Sequence, residues 1–111
     1  MRQEHNKLVR NGIPEIIRQA GNQCEVATMS EKEFTQALRE KLLEEAREAA
    51  AASPENLVSE LADLQEVMDA LLTVYGIEPE ATVKEQRRKR IERGGFDQRI
   101  RLLWTESSER I

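Results

Sequence analysis

The sequence has few of the residues that many hydrolytic and metal-binding sites use. Its 111 residues include one Cys, one His and only 4% aromatic residues. Cys24 therefore has no internal disulfide partner, and one Cys with one His cannot complete a four-ligand zinc site. The lone His5 lies close to the first residue, which argues against a Ser–His or Cys–His catalytic pair.

Long hydrophobic runs are also absent. No apolar run approaches the roughly 18 residues that a membrane span needs, and the first residues lack the pattern of a signal sequence. We therefore expect a cytoplasmic protein with no membrane partner. The length predicts a single domain over residues 1–111. Because a domain of this size has a small core, we expect a homo-oligomer, either a dimer or a tetramer.

Charge is unevenly distributed along the chain. The net charge is −4, but residues 40–69 hold nine acids and two bases, whereas residues 84–93 hold six bases and two acids. Such segregation suggests a bound cation, a bound anion or both. Two solvated helix faces would produce the same pattern.

Capping signals and helix breakers predict the secondary structure. Ser30 with Glu33 forms a capping box, which predicts a helix over residues 31–52. Ser53 before Pro54 predicts the start of a second helix that ends near Tyr75. Further helices are predicted over 14–20 and 79–93, and the tail over 96–104 is either a final helical turn or an extended arm.

The two long segments should pack against each other because very little chain joins them. Short connections between helices give antiparallel hairpins. The predicted fold class is therefore all-α: a small antiparallel helical bundle built on a two-helix hairpin.

Carboxylates fall on the apolar side of both long helices. With 3.6 residues per turn, Glu45 lies inside the arc that contains Leu38 and Ala49, and Glu44 and Glu48 lie at its edge. On the second helix, Glu60 lies within the apolar stripe and Asp63 on its border. Glu66 and Asp69 repeat the same spacing but fall away from that stripe, so we expect them to face solvent.

Carboxylates that converge in a core need a cation. Burying several of them together is costly unless a divalent metal ion neutralises them, and Mg²⁺ is bound by such oxygens. Pairs spaced i,i+3 on facing antiparallel helices converge on one site. The alternative is a set of solvated pairs, which are common in a chain with 34% charged residues.

A second set of candidates is basic. Lys7, Arg10, Lys89 and Arg93 could bind phosphate groups, and Gly94 with Gly95 would allow a close backbone approach. The remaining bases of residues 84–93 fit a solvated helix face. Nucleic-acid binding through this helix is an alternative that the acidic overall charge disfavours.

Three motifs together resemble a known family. Residues 41–48 (KLLEEARE) followed by 60–63 (ELAD) resemble the Glu-Glu-x-x-Glu and Glu-x-x-Asp signature of the all-α nucleotide pyrophosphohydrolases. That superfamily includes MazG-like proteins and phosphoribosyl-ATP pyrophosphohydrolase. Residues 5–17 and 89–96 resemble the opening and the C-terminal motif of one MazG-like branch.

The resemblance implies a Mg²⁺-dependent enzyme, with Mn²⁺ as a possible substitute, that cleaves a nucleotide between its α and β phosphates. Glu44 and Glu45 would be the catalytic carboxylates, and Glu44 would orient or deprotonate water. The basic candidates named above would bind the phosphates of the nucleotide. The metal ligands would be Glu45, Glu48, Glu60 and Asp63.

We expect a nucleoside triphosphate pyrophosphohydrolase of the house-cleaning type. One alternative is hydrolysis of phosphoribosyl-ATP in histidine biosynthesis, which would use the same fold and metal site. Another is a non-catalytic helical module that binds nucleotides or a partner protein.

Overall fold

The computed structural model describes residues 1–108, and every regular element within them is helical. This confirms the predicted all-α class. Within this part of the chain, no helix is both long enough and apolar enough to cross a membrane. The helices, in chain order, are α1 (Ile13–Gln19), α2 (Glu31–Ala51), α3 (Leu57–Val74) and α4 (Pro79–Arg93).

Helix α2 begins at the predicted capping box. The Ser30 hydroxyl accepts a hydrogen bond from the Glu33 backbone N–H at 3.2 Å, and the Glu33 carboxylate accepts one from the Ser30 N–H at 3.0 Å. Two backbone N–H groups that the helix leaves unpaired are thereby satisfied. The hydrogen bond from Ser30 also lowers the pKa of Glu33.

Helix α3 begins later than the sequence predicted. Ser53 and Pro54 were expected at its N-cap and first position, but the helix starts at Leu57, and Asn56 occupies the N-cap without a side-chain cap. Residues 54–56 form a turn instead. In that turn the Asn56 backbone N–H donates to the Ser53 carbonyl at 3.0 Å, and its side-chain amide donates to the Ser53 hydroxyl at 3.2 Å. Ser53 therefore stabilises the reversal of the chain rather than the helix end.

Helices α2 and α3 pack against each other as an antiparallel hairpin. In the first half of α2, Arg39 donates to the hydroxyl of Tyr75 at 3.0 Å, just beyond the end of α3. The Arg39 guanidinium also lies 5.4 Å from the centre of the Tyr75 ring. Farther along α2, Glu45 lies beside Glu60 near the start of α3, so the two helices run in opposite directions.

The core of this hairpin is small. Its buried apolar residues are Leu38, Ala49 and Val67, all on the predicted apolar stripes. Two further stripe residues of α3, Leu61 and Met68, are 47% and 43% exposed. The stripe of α3 is wider than the surface that α2 alone covers, so part of it remains in contact with solvent.

Glycine in the left-handed conformation follows both α3 and α4. Gly76 has φ +66° and Gly94 has φ +84°. Beyond α3, the Ile77 N–H donates to the Leu72 carbonyl at 2.8 Å, which closes the last turn. Only glycine adopts this conformation at little cost, so both helix ends lie where the sequence predicted them.

The chain divides into two compact units, Met1–Glu78 and Pro79–Ile111. The first contains the hairpin. In the second, Arg88 of α4 bonds to Glu85 at 2.5 Å and to Glu92 at 2.6 Å along one face of the helix. After α4, residues 94–108 contain a turn but no further helix, so the final helical turn considered above does not form in this part of the chain.

Replacing Ser30 with Ala tests the capping box. We expect the Ser30→Ala variant to lose about 1 kcal/mol of unfolding free energy in a urea titration, because the Glu33 N–H loses its acceptor. Ser59→Ala is the matched control, since Ser59 is exposed on α3 and makes no side-chain hydrogen bond within residues 1–108. Equal losses in both variants would contradict the assignment.

Candidate metal centre

Three carboxylates from the two hairpin helices converge on one point. Glu45 of α2 and Glu60 and Asp63 of α3 each offer an oxygen, and these three oxygens lie within 4.8 Å of one another. We call these residues the acidic cluster. The i,i+3 spacing puts Glu60 and Asp63 on the side of α3 that faces α2. The structure thus brings together three of the four predicted metal ligands.

The acidic cluster is short of hydrogen-bond donors. Glu45 is buried, with 7% of its surface exposed, and Glu60 is half-buried. One oxygen of each, Oε2 in both cases, is buried and has no hydrogen-bond partner among the described residues. An unpaired buried carboxylate oxygen is costly, so these two atoms fit the role of ligands to a cation.

The donor set also indicates which kind of cation would fit. All three groups are carboxylates, and hard oxygen ligands suit Mg²⁺, Ca²⁺ or Mn²⁺. No His or Cys belongs to the group, so it lacks the nitrogen and sulfur ligands typical of zinc.

Glu48, the fourth predicted ligand, lies outside the group of three. It is exposed on α2, one turn beyond Glu45. Its pKa is raised, first because Glu45 repels its charge, then because of desolvation and a side-chain hydrogen bond with Glu45, and more weakly because Glu60 and Glu44 repel it. Glu48 therefore lies next to Glu45, at the exposed edge of the acidic cluster.

Glu44 is paired with lysine. The Lys7 Nζ lies 2.9 Å from Glu44 Oε1, and Lys41 lies 3.9 Å from the other carboxylate oxygen. The hydrogen bond from Lys7 lowers the pKa of Glu44, and the same bond raises the pKa of Lys7. Lys41 also lies 3.4 Å from Glu45, a contact that the i,i+4 spacing could have revealed.

Arg10 contacts the acidic cluster directly. Its Nη2 donates to Asp63 Oδ1 at 2.8 Å; Arg10 is exposed and Asp63 is half-buried. Lys7 and Arg10 were predicted to bind phosphate, whereas here each pairs with a carboxylate of the hairpin. Both pairs join residues far apart in the chain, so no local spacing in the sequence could have predicted them.

The remaining sequence candidates are exposed residues of α3 and α4. Lys89 and Arg93 are exposed on α4, in the second compact unit. Glu66 and Asp69 are exposed on α3, as predicted. A shallow groove of about 160 Å³ lies beside Glu44, and its lining includes Lys7, Lys41, Met29 and Ala37.

Comparison with known proteins gives one match. The family model described as phosphoribosyl-ATP pyrophosphohydrolase matches residues 15–90. No curated protein and no solved structure matches the chain. The matched span contains the acidic cluster, Glu44, Glu48 and Lys89, but it excludes Lys7, Arg10 and Arg93.

Removing one cluster carboxylate tests the metal centre. We expect Glu45→Gln to weaken Mn²⁺ binding by at least about tenfold, because affinity at such sites follows the number of charged ligands. The measurement is a Mn²⁺ titration in which electron paramagnetic resonance counts the free ion. Glu66→Gln is the control, since it removes the same charge from an exposed position of α3. Equal weakening in both variants would contradict a specific site.

Neutralising Glu48 tests the repulsion around the cluster. The pKa of Glu48 is raised in the folded protein, so protonated Glu48 favours the folded state. This favourable effect is fully present below the unfolded-state pKa and is lost as the pH rises through the folded-state pKa, where Glu48 becomes charged and is repelled by its neighbours. In EDTA at pH 7, Glu48→Gln should therefore have a higher Tm than the parent chain. This gain should shrink toward zero below about pH 4. A Tm at pH 7 equal to or below that of the parent chain would argue against the repulsion.

Proposed function

The chain belongs to the phosphoribosyl-ATP pyrophosphohydrolase family of the MazG-like superfamily, and on that premise we propose that it is a Mg²⁺-dependent nucleoside triphosphate pyrophosphohydrolase. Members of this family are metal-dependent hydrolases of phosphoric anhydride bonds. The proposed reaction cleaves the α–β bond and releases a nucleoside monophosphate and pyrophosphate.

The acidic cluster is the observation that carries this proposal. Three carboxylates converge across the hairpin, and two buried oxygens have no hydrogen-bond donor among the described residues. Glu45, Glu60 and Asp63 would hold the cation, and Glu48 would be a further carboxylate ligand at the exposed edge of the site. When bound, Mg²⁺ supplies charge neutralisation at the phosphates and lowers the pKa of a coordinated water molecule.

Glu44 is suited to act on the attacking water. Glu44 is ionised at neutral pH and can accept a hydrogen bond from water, but its lowered pKa makes it a weak base, which favours orienting the water over deprotonating it. Lys7 holds this carboxylate at 2.9 Å and fixes its orientation. Glu45 acts with it as the second catalytic carboxylate, as a ligand of the cation.

The basic residues would bind the charged part of the substrate. Lys7 and Arg10 lie beside the acidic cluster, where positive charge would stabilise the departing pyrophosphate. Lys89 and Arg93 are proposed for the same role on the strength of the motif around them. The groove beside Glu44 offers room for part of a nucleotide.

We also propose that the active form is a homo-oligomer in the cytoplasm, where nucleotides are plentiful. The small core and the exposed apolar residues of α3, among them Leu61 and Met68, support association. Whether the assembly is a dimer or a tetramer is decided by light scattering on the purified protein.

Phosphoribosyl-ATP is the second candidate substrate. The name of the matching family model favours it, and the acidic cluster would serve that hydrolysis equally well. The two substrates share the bond that is cleaved and differ in the group attached to the α phosphate.

A substrate panel tests the proposed function. We expect Mg²⁺- or Mn²⁺-dependent release of pyrophosphate and a monophosphate in equal amounts from at least one standard or modified nucleoside triphosphate. Phosphoribosyl-ATP belongs in the same panel, and turnover of that compound alone would select the second candidate. Glu45→Gln should lose at least about 100-fold in rate while Glu66→Gln keeps the parent rate. Nucleotide binding without any turnover would favour a non-catalytic module.

A further inference from the structure

Arg10 shares a carboxylate with the acidic cluster. We propose that Arg10 exchanges its guanidinium between Asp63 and a phosphate oxygen, and so couples cation binding to phosphate binding. This inference rests on the metal-dependent chemistry proposed above. It concerns how each of the two ligands changes the affinity for the other rather than the reaction itself.

The first step is that Arg10 and the cation compete for the Asp63 carboxylate. Asp63 offers an oxygen to the acidic cluster, and its Oδ1 accepts the hydrogen bond from Arg10 at 2.8 Å. A guanidinium does not lose its proton at any physiological pH, so it always presents a full positive charge. A divalent cation at the cluster would repel that charge and draw electron density from the same carboxylate. Cation binding therefore weakens the pair between Arg10 and Asp63.

The second step is that separating Arg10 from Asp63 costs little free energy. The side chains of Arg10 and Asp63 are 53% and 41% exposed, and one nitrogen–oxygen contact joins them. Exposed pairs of this kind contribute little to stability, so the cost of separating them is small. A released guanidinium still has five N–H donors in a planar fork, a geometry that matches phosphate oxygens.

The third step is that the backbone can stay in place while the side chain moves. The Arg10 carbonyl accepts a hydrogen bond from the Ile13 N–H at 3.1 Å, which ties it to the start of α1. Lys7 is bound to Glu44 on α2 and holds the preceding segment against the hairpin. Arg10 can therefore change partners by rotating its side chain alone, and the guanidinium remains beside the cluster.

Exchange of this kind makes the two ligands cooperative. A cation that frees Arg10 raises the affinity for phosphate, and a phosphate that captures Arg10 must raise the affinity for the cation by the same factor. When neither ligand is bound, Asp63 and Arg10 pair with each other, so each ligand must break that pair unless the other ligand has already done so.

Mn²⁺ binding without nucleotide tests the competition. In the whole 111-residue chain, we expect Arg10→Gln to bind Mn²⁺ about two- to fivefold more tightly than the parent chain, because Asp63 no longer has to leave a partner. Arg18→Gln is the control: it removes the same charge from an exposed residue of α1 that has no ion pair among residues 1–108. Affinity that is unchanged or weaker in Arg10→Gln, relative to Arg18→Gln, overturns the proposal.

Inorganic phosphate tests the other half of the exchange. In saturating Mg²⁺, we expect Arg10→Gln to bind phosphate at least about threefold more weakly than Arg18→Gln, measured by ³¹P line broadening. Equal affinities would overturn the role of Arg10 at phosphate. Circular dichroism confirms that both variants are folded.

The same titrations distinguish failure of the metal centre from failure of the Arg10 exchange. If Glu45→Gln and the parent chain bind Mn²⁺ equally, the metal centre and the exchange both fail. If Glu45→Gln loses the ion but Arg10→Gln gains no affinity, only the exchange fails and the proposed function stands.

Discussion

Repulsion among carboxylates held between two helices is the constraint on which the rest of this structure depends. Glu45, Glu60 and Asp63 approach within 4.8 Å, and two of their oxygens are buried without a hydrogen-bond donor in the described part of the chain. Such an arrangement costs on the order of several kcal/mol unless positive charge offsets it. The hairpin core is too small to hold it together easily, since within residues 1–108 the buried apolar residues are Leu38, Ala49 and Val67 alone. Lys41, Lys7 and Arg10 lie where their positive charge offsets this repulsion.

Positive charge reaches the cluster from two directions. Lys41 of α2 and Arg10 of the segment before α1 contact cluster carboxylates, and Lys7 of the same segment pairs with the neighbouring Glu44. These contacts explain how a chain with a modest net charge of −4 tolerates a concentrated acidic region. They also give the N-terminal segment a defined place beside the hairpin without a helix of its own. The bases that could meet a phosphate are thus already beside the carboxylates that could hold a metal ion.

The sequence predicted the features that arise from local spacing. The capping box at Ser30, the helix end at Gly76 and the inward position of Glu45 all follow from residues within a turn or two of each other. The start of α3 was predicted wrongly because a Ser–Pro pair caps a helix or supports a turn, and the choice depends on how α2 and α3 meet. The pairing of Arg10 with Asp63 spans 53 positions and depends on the packed fold, so no sequence pattern could reveal it. The exposure of Leu61 could not be predicted either, because it depends on how much of the α3 surface is covered by α2.

The central claim is that the acidic cluster holds a divalent cation. Anomalous diffraction from crystals grown with Mn²⁺ tests it most directly, because the ion is located without reference to activity. We expect one strong anomalous peak about 2 Å from carboxylate oxygens of Glu45, Glu60 and Asp63. A peak only at exposed acids such as Glu66 and Asp69, or no peak between α2 and α3, would contradict it.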